Sequence, residues 1–290
     1  MKDKQVIITG PTSGIGKEIA MGVGTLGANL VLACRDVNLG KVTAEEITHK
    51  TGAKNIDVMH MDASSQQSIR DFARQYREKY PRLDVLINNA GMNRGTRGRA
   101  DTVDGIEETF ATNVLGYFLL TQELLDLLKA SAPSRIVNVA STFASDLDLD
   151  DLQFERRPFD STKAYAQSKA CNRMLTWALA RRLEGTKITA NAMAPGLIVD
   201  TGLYRHAPPE MLARLRQRGD RSVVQGADTA VWLASSPNVE NVSGKLFYDR
   251  QEIPCEFQNT ANEEKLWKIC EELMGDSSRS NKSIKSASAN

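Results

Sequence analysis

Short apolar runs alternate with longer segments of helical pattern along most of the chain. The runs are rich in Val, Ile, Leu and Ala, and they are predicted strands that begin at Gln5, Asn29, Ile56, Asp84, Arg135, Lys187 and Lys245. Strands that alternate with helices, and that are apolar on both sides, are typical of a parallel sheet buried on both faces. The pattern therefore predicts a single-domain α/β fold, a doubly wound parallel sheet with helices on both faces.

The intervening segments have the length and apolar spacing of helices that cover such a sheet. They are predicted at Lys17–Met21, Val37–Lys50, Ser68–Tyr80, Gly105–Lys129, Ser161–Glu184, Ala227–Ser236 and Glu263–Met274. Two long connections remain. An acidic loop from Asp146 to Asp160 is expected to be solvated, and the Arg-rich segment from Thr201 to Gly219, with a helix break at Pro208–Pro209, is expected to form a lid.

Composition sets limits on the function. Of 290 residues, 41% are hydrophobic and 25% charged, so residues 1–275 can form one domain, whereas the Ser/Asn/Lys-rich residues 276–290 are predicted to be disordered. The net charge of +1 argues against a nucleic-acid surface. We expect no membrane span, because no apolar run reaches eighteen residues. The four cysteines have neither metal nor disulfide spacing, which favours a cytoplasmic protein without a metal site.

A glycine-rich turn joins the first strand to the first helix. Glycines at this position permit a tight turn and let the backbone approach a pyrophosphate at a helix N-terminus. Their spacing is G-x-x-x-G-x-G, which differs from the G-x-G-x-x-G fingerprint. The predicted cofactor-binding residues of this turn are Gly10, Thr12, Ser13, Gly14, Ile15 and Gly16.

The ends of the second and third strands carry candidate contacts to the rest of a dinucleotide. Arg35 could form a fork to a 2′-phosphate, which favours NADP(H) over NAD(H); in the alternative, Arg35 is solvated and Asp36 reaches the ribose. Asp62, followed by Ala63, could accept a hydrogen bond from an adenine amino group. Alternatively Asp62 is a helix N-cap, although Ser64 or Ser65 could also fill that position.

Tyr165 and Lys169 are the main candidates for chemistry. They lie four residues apart on a predicted helix, so their side chains share one face, and the ammonium is expected to lower the pKa of the phenol. Ser141 follows the fifth strand, where its hydroxyl could bind a substrate carbonyl or belong to an ordinary turn. Asn113 lies among apolar neighbours, as a satisfied core residue or as part of a water relay.

Taken together, these motifs resemble the short-chain dehydrogenase/reductase family. The matches are Thr9-Gly10-x3-Gly14-Ile-Gly16, Asn88-Asn-Ala-Gly91, Asn113, Ser141, Tyr165-x3-Lys169 and Pro195-Gly196. The sequence Ala33-Cys-Arg-Asp36 and the 24-residue separation of Ser141 from Tyr165 are similar to the retinol-dehydrogenase-like branch. That branch is mostly NADP-linked and acts on hydrophobic aldehydes, ketones or alcohols.

The resemblance implies a Rossmann-type fold and a role for each matching residue. Tyr165 would be the general acid/base, Lys169 would hold the nicotinamide ribose, Ser141 would orient the carbonyl and Asn113 would hold a water. Further cofactor contacts are implied at Asn89, Ala90, Gly91, Pro195, Gly196, Ile198 and Thr201. A homodimer through the helices that carry Asn113 and Tyr165 is implied as well.

Two other functions remain open from the sequence. Ser168-Lys-Ala-Cys171-Asn172, Thr201-Gly-Leu-Tyr-Arg-His206, Lys265-Leu-Trp267 and Glu272-Leu-Met-Gly275 are similar to light-dependent protochlorophyllide reductases, which reduce a C=C bond and in which a cysteine at the position of Cys171 matters. From its helical position alone, Cys171 is predicted to be a buried structural thiol. The third possibility is an NADP-binding sensor or scaffold without chemistry.

Overall fold

The computed structural model describes residues 1–219 and 221–275, so the predicted tail at 276–290 lies outside the described residues. Within them, eight strands form one sheet with the order β3-β2-β1-β4-β5-β6-β7-β8. Strands β1 to β7 are parallel to their neighbours, and β8 pairs antiparallel with β7 at the edge. The strands are Gln5–Thr9, Asn29–Cys34, Ile56–His60, Val85–Asn88, Ser134–Val139, Ile188–Met193, Leu246–Tyr248 and Gln251–Ile253.

Helices cover both faces of this sheet, which confirms the predicted fold class. The α-helices α1 to α9 are Gly14–Thr25, Val37–Thr51, Gln66–Lys79, Glu108–Phe110, Gly116–Ala130, Ser161–Arg182, Pro209–Gln217, Val223–Ser235 and Thr260–Gly275. Adjacent residues of a strand point to opposite faces. Accordingly Ile7 belongs to the core under α3, α5, α6 and α9, whereas Ile8 belongs to the core under α1 and α8.

The long helix predicted from Gly105 is interrupted in the structure. It begins at Glu108, because the side chain of Glu107 accepts hydrogen bonds from the amides of Thr109 and Phe110 and so caps the helix. A π-helical turn at Ala111–Leu115 then separates α4 from α5. Such a turn is often found at a functional site, and here it carries Asn113.

Two further elements differ from the sequence prediction. The expected helix break at Pro208–Pro209 is instead the start of α7, because proline is well suited to the first position of a helix. In the acidic loop, Asp151 is buried rather than solvated, and its carboxylate accepts hydrogen bonds from the amides of Glu155, Arg156 and Arg157. The expectation of a wholly solvated acidic loop is therefore wrong at Asp151.

None of the helices between residues 1 and 275, Asp220 aside, is both long enough and apolar enough to cross a bilayer.

Candidate active site

The predicted site residues follow the carboxyl ends of neighbouring parallel strands. Gly10 follows β1, Asn89 follows β4, Ser141 follows β5 and Pro195 follows β6. These strands are adjacent in the sheet, so their ends lie along one edge. This edge is where ligands bind in open α/β folds.

The glycine-rich turn is shaped for an anion. Gly10 and Gly14 have φ angles of 64° and 55°, which favour glycine. A side chain on Gly16 would overlap the Gly10 carbonyl oxygen and the Asn89 side-chain amide. At the N-terminus of α1, the Ser13 side chain makes no capping hydrogen bond, and the first turn has no acidic residue. The first amides of α1 therefore remain available to a pyrophosphate.

Asn89 stabilises this turn from the neighbouring strand. Its Nδ2 donates hydrogen bonds to the carbonyl oxygens of Thr9, at 2.9 Å, and of Gly10, at 3.2 Å. The Thr9 hydroxyl in turn accepts from the amides of Asn89 and Ala90, each at 2.9 Å. The Asn89 side chain, which the resemblance places near a ribose, thus supports the backbone of the glycine-rich turn. The main chain of residues 89–91 remains available to a ligand.

The end of β2 separates the two candidates for the ribose. Asp36 caps α2, and its carboxylate accepts from the amide of Leu39 at 3.0 Å. Arg35 is exposed and makes no hydrogen bond or ion pair with the described residues. Asp36 is therefore engaged as the cap of α2, whereas the guanidinium of Arg35 can bind an anion.

Asp62 organises the turn after β3. Its Oδ1 accepts from the amide of Ser64 at 2.9 Å and from its hydroxyl at 2.7 Å. The N-cap of α3 is Ser65, one of the alternatives that the sequence left open. The carbonyl oxygen of Ala63 packs against Gly116. A side chain at position 116 would come within 2.6 Å of that oxygen.

Lys169 is buried between two tyrosine rings. Its Nζ donates to the carbonyl oxygen of Val139 at 2.8 Å and lies 5.7 Å from the ring centroids of both Tyr117 and Tyr165. Only 4% of the residue is exposed. Burial disfavours the charged form and lowers the pKa of Lys169 to about 7.

Tyr165 and Ser141 face each other beside this lysine. Burial raises the pKa of Tyr165, the nearby Tyr204 adds to the rise, and a hydrogen bond with the Ser141 hydroxyl opposes it. The structure thus differs from the expectation that Lys169 would lower this pKa, because burial is the larger effect. The Ser141 Oγ also accepts from the amide of Phe143 at 3.0 Å.

Asn113 connects this group to the loop after β4. Its Oδ1 accepts from the Met92 amide at 2.8 Å, and its Nδ2 donates to the Met92 carbonyl at 2.9 Å and to the Ser168 hydroxyl at 3.0 Å. The side chain is therefore a satisfied core residue. A methyl group on Gly91 would lie 3.5 Å from Asn113 Oδ1 and 3.8 Å from Lys169 Nζ, so these residues converge on one point.

The segment after β6 crosses the same edge. Gly196 has a φ angle of 81°, and a side chain there would come within 2.6 Å of Arg221. Ile198 is buried and packs on Gly226 of α8. Thr201 lies across the glycine turn, where its Cγ2 would be 3.4 Å from a side chain on Gly14. This segment therefore joins the end of β6 to the glycine-rich turn.

The Arg-rich segment from Thr201 to Gly219 contacts the loop of residues 93–100, which follows β4. The amide of Thr96 donates to the His206 carbonyl at 3.2 Å, and the Ser161 hydroxyl, at the start of α6, donates to the carbonyl of Gly95.

As for metal ligands, the described residues contain no group of three or more His, Cys, Asp or Glu that could hold an ion.

One residue beside the site was missed from the sequence. Arg173 is 3% exposed, and its guanidinium donates to the main-chain oxygen of Ser141. The signal was present, because Arg173 follows Lys169 by the same four residues that separate Lys169 from Tyr165. Extending that spacing by one helical turn would have found it.

Comparison with known proteins agrees with the fold and the motifs. Residues 4–211 match the family described as short chain dehydrogenase, so the chain belongs to this family of oxidoreductases. Within it the chain is retinol-dehydrogenase-like: it is 38% identical to Retinol dehydrogenase 14 of Homo sapiens, across 95% of this chain and 87% of the relative.

Solved structures give the same result. An uncharacterized protein from Mycobacterium Paratuberculosis superposes with a TM-score of 0.75 and 28% identity, covering 94% of each chain. The RhlG/NADP active-site complex of Pseudomonas aeruginosa superposes with a TM-score of 0.70 and 27% identity, covering 85% of this chain and 94% of that one.

Proposed function

We propose that this chain is an NADP(H)-dependent oxidoreductase that transfers a hydride between nicotinamide and the carbonyl or alcohol carbon of a hydrophobic small molecule. The convergence of Ser141, Tyr165 and Lys169 at the end of β5 carries the proposal. Two similar proteins support the same substrate class and cofactor, since the human relative is a retinol dehydrogenase and the Pseudomonas aeruginosa structure is a complex with NADP.

The residues at the strand ends fit this cofactor. The uncapped amides at the start of α1 would hold the pyrophosphate, and the exposed guanidinium of Arg35 would bind the 2′-phosphate, which favours NADP(H) over NAD(H). Asp62 and Ala63 would line the adenine, and the main chain of residues 89–91 the adjacent ribose. The nicotinamide end would be framed by Pro195, Gly196, Ile198 and Thr201. When bound, the cofactor supplies or accepts the hydride.

Tyr165 would move the proton. Because burial raises its pKa, the phenol is protonated at neutral pH and can donate to the carbonyl oxygen during reduction. In the oxidation direction the phenol must first lose this proton to solvent, and the phenolate then accepts the alcohol proton. Ser141 would donate a hydrogen bond to the same oxygen. Lys169, whose pKa is about 7, can exchange a proton near neutral pH, and Asn113 would hold the main chain at Met92 beside it.

A hydrophobic substrate suits the surface next to Ser141. Phe143 is one of the exposed large hydrophobic residues, with 51% of its surface accessible, and it lies two residues beyond Ser141. An aromatic ring at this position can cover an apolar substrate. We therefore place the hydrophobic part of the substrate against Phe143.

The photoenzyme alternative receives less support. Cys171, which carries much of that resemblance, is fully buried in the core under α5, α6 and α9. Burial raises the pKa of its thiol, so it is a poor proton donor. A cofactor-binding protein without chemistry would not require Tyr165 and Ser141 to face each other.

Turnover by the Tyr165→Phe variant tests the proposal. NADPH oxidation should be measured in the dark with a panel of aldehydes and ketones that includes all-trans-retinal, with NADH in parallel. We expect a higher kcat/KM with NADPH, and a loss of kcat of about 10²–10⁴-fold in the variant, since general acid catalysis contributes that much. The affinity for NADPH should change little.

Tyr117→Phe is the matched control. Its ring lies at the same 5.7 Å from Lys169, but its buried hydroxyl has no hydrogen-bond partner in the described structure, so activity should be retained. Wild-type activity in Tyr165→Phe would contradict the acid/base role. NADPH binding without turnover would favour a sensor, and turnover of protochlorophyllide only under illumination would favour the photoenzyme.

A further inference from the structure

Three side chains of α6 form one stripe that faces the end of β5. Tyr165, Lys169 and Arg173 follow each other at intervals of four residues, so they lie on successive turns of one helix face. All three are buried, with exposures of 9%, 4% and 3%. A buried arginine in line with two candidate catalytic residues needs an explanation, because burying a guanidinium is costly unless acceptors surround it.

The acceptors of the two cations are carbonyl oxygens at the end of β5. Lys169 Nζ donates to Val139, the last residue of β5. One helical turn further on, Arg173 Nη2 donates to the carbonyl of Ser141, and to that of Thr142 at 3.3 Å. The helix that carries Tyr165 therefore also binds the backbone that carries Ser141.

The segment between β8 and α9 encloses the other side of the guanidinium. Phe257 places its ring centroid 5.5 Å from the guanidinium carbon, and Cys255 interacts with the guanidinium through its thiol. The carboxylate of Glu256 is 3.7 Å away, but its side chain is 69% exposed, so its charge is screened by solvent. The carbonyls of Ser141 and Thr142 are thus the main partners of this buried charge.

We infer that Arg173 is a positioning residue, which fixes the main chain of residues 141–143 so that the Ser141 hydroxyl faces Tyr165 and the substrate oxygen. The inference rests on the function proposed above. Arg173 on α6 donates to the carbonyl oxygens of Ser141 and Thr142, and the Ser141 hydroxyl accepts a hydrogen bond from the Phe143 amide. Three hydrogen bonds therefore fix this turn. The guanidinium of Arg173 thereby keeps Ser141 at a fixed distance from Tyr165.

Arg173→Met tests this role, because methionine fills a similar volume without donors. We expect kcat to fall by about 10–100-fold, as small displacements of a reacting group can cost 10²-fold, while KM and the Kd for NADPH stay within about threefold. Since the Ser141 hydrogen bond opposes the rise in the pKa of Tyr165, its displacement should move the pH profile of alcohol oxidation to higher pH. Arg173→Lys should restore part of kcat by binding one carbonyl.

Arg182→Met is the matched control. This arginine belongs to the same helix but contacts Glu264 and the Trp267 ring, at 3.9 Å from the ring centroid, and it does not reach Ser141. Its loss should lower thermal stability without moving the pH profile. Hydrogen exchange of residues 141–145 provides a readout that does not require activity, and it should be faster in Arg173→Met than in the wild type or in Arg182→Met.

The outcomes separate this inference from the proposed function. Unchanged kcat, pH profile and exchange in Arg173→Met, with Tyr165→Phe inactive, would overturn the positioning role and leave the proposed function intact. If the wild type has no turnover, the proposed function fails, and unchanged exchange in residues 141–145 would overturn the inference as well. If Arg173→Met does not fold, the same measurements are made on Arg173→Lys. A wild-type kcat, pH profile and hydrogen exchange in Arg173→Lys would refute the proposal that Arg173 must bind both carbonyls.

Discussion

At the scale of single residues, burial controls the protonation of the candidate site. Lys169 donates to the Val139 carbonyl, a neutral acceptor, and burial lowers its pKa from 10.5 to about 7. The same burial raises the pKa of Tyr165. At neutral pH the phenol therefore keeps its proton, and the lysine is the group of the pair that titrates.

Lys169→Met should show this in the pH dependence of stability. Between pH 7 and about 9.5, folded Lys169 loses its proton while the unfolded chain keeps it, so the unfolded state binds more protons and wild-type stability rises with pH. Below pH 7 the lysine is charged in both states, and the cost of burying the charge is present in full. Relative to Lys169→Met, the wild-type free energy of unfolding should rise by up to about 1.4 kcal/mol per pH unit across this window.

Urea titrations of both proteins at several pH values measure this difference, with Lys163→Met as the control. Lys163 is an exposed lysine of the same helix, so its loss should give a difference that does not depend on pH. A pH-independent difference for Lys169→Met would show that the lysine keeps an ordinary pKa in the fold.

Residue identities at this site could be predicted from sequence, but their contacts could not. The spacing of Tyr165 and Lys169 is a local property of a helix, and so is visible in the chain. The use of Asp36 as a helix cap, of Asn89 as a support for the glycine turn and of Asn113 as a link to Met92 depends on where distant backbone groups lie. Polar side chains at strand ends have several such partners available, and sequence does not choose between them.

At the scale of elements, the strands were predicted more closely than the loops and helix ends. Apolar runs define strands such as Gln5–Thr9 and Asn29–Cys34, whose observed first residues equal the predicted ones. The antiparallel strand Gln251–Ile253 was missed because it is short, polar and at the sheet edge. Two helices with a side-chain cap begin away from the predicted residue: the helix capped by Glu107 begins at Glu108 instead of Gly105, and the helix capped by Ser222 begins at Val223 instead of Ala227.

The carboxylate of Asp151 stabilises the acidic loop, and the Asp151→Ala variant should show this effect. Removing the carboxylate leaves the amides of residues 155–157 without their acceptor, and hydrogen bonds to a charged group contribute about 1.5–3 kcal/mol each. Some amides will find water, so we expect the free energy of unfolding to fall by about 2–4 kcal/mol in urea denaturation.

The neighbouring Asp150 is the control for this variant. Its side chain is 68% exposed and forms an ion pair with Lys265 at 2.7 Å, so Asp150→Ala should cost no more than about 1 kcal/mol. Equal effects of the two substitutions would mean that the loop is held by its surface charges instead.

At the scale of the whole molecule, α9 covers the helices through which a homodimer was expected. Its apolar side packs on α6, and the Trp267 ring meets Phe118 of α5 edge-to-face at 4.7 Å. The end of α9 is tied to α3, where Gln66 and Arg70 donate to its last carbonyls. The sequence predicted this amphipathic helix, but not the surface it covers, because that choice depends on the assembled neighbours.

Since α9 already occupies this surface within one chain, we expect the wild type to sediment as a monomer of 31.9 kDa. Trp267→Ala should lower the free energy of unfolding by about 3–5 kcal/mol, as large aromatic truncations in a core do. It should also uncover apolar surface of α5 and α6, so that sedimentation velocity detects association that increases with protein concentration.

Lys268→Ala, at an exposed position of α9, should change neither stability nor sedimentation. A wild-type dimer would mean that the protein associates through a surface other than the one α9 occupies, or that α9 leaves α6 in solution. Trp267→Ala distinguishes these cases: a dimer through another surface would survive the substitution, whereas a dimer through α5 and α6 would become stronger, because the helix that competes for that surface would be held less tightly.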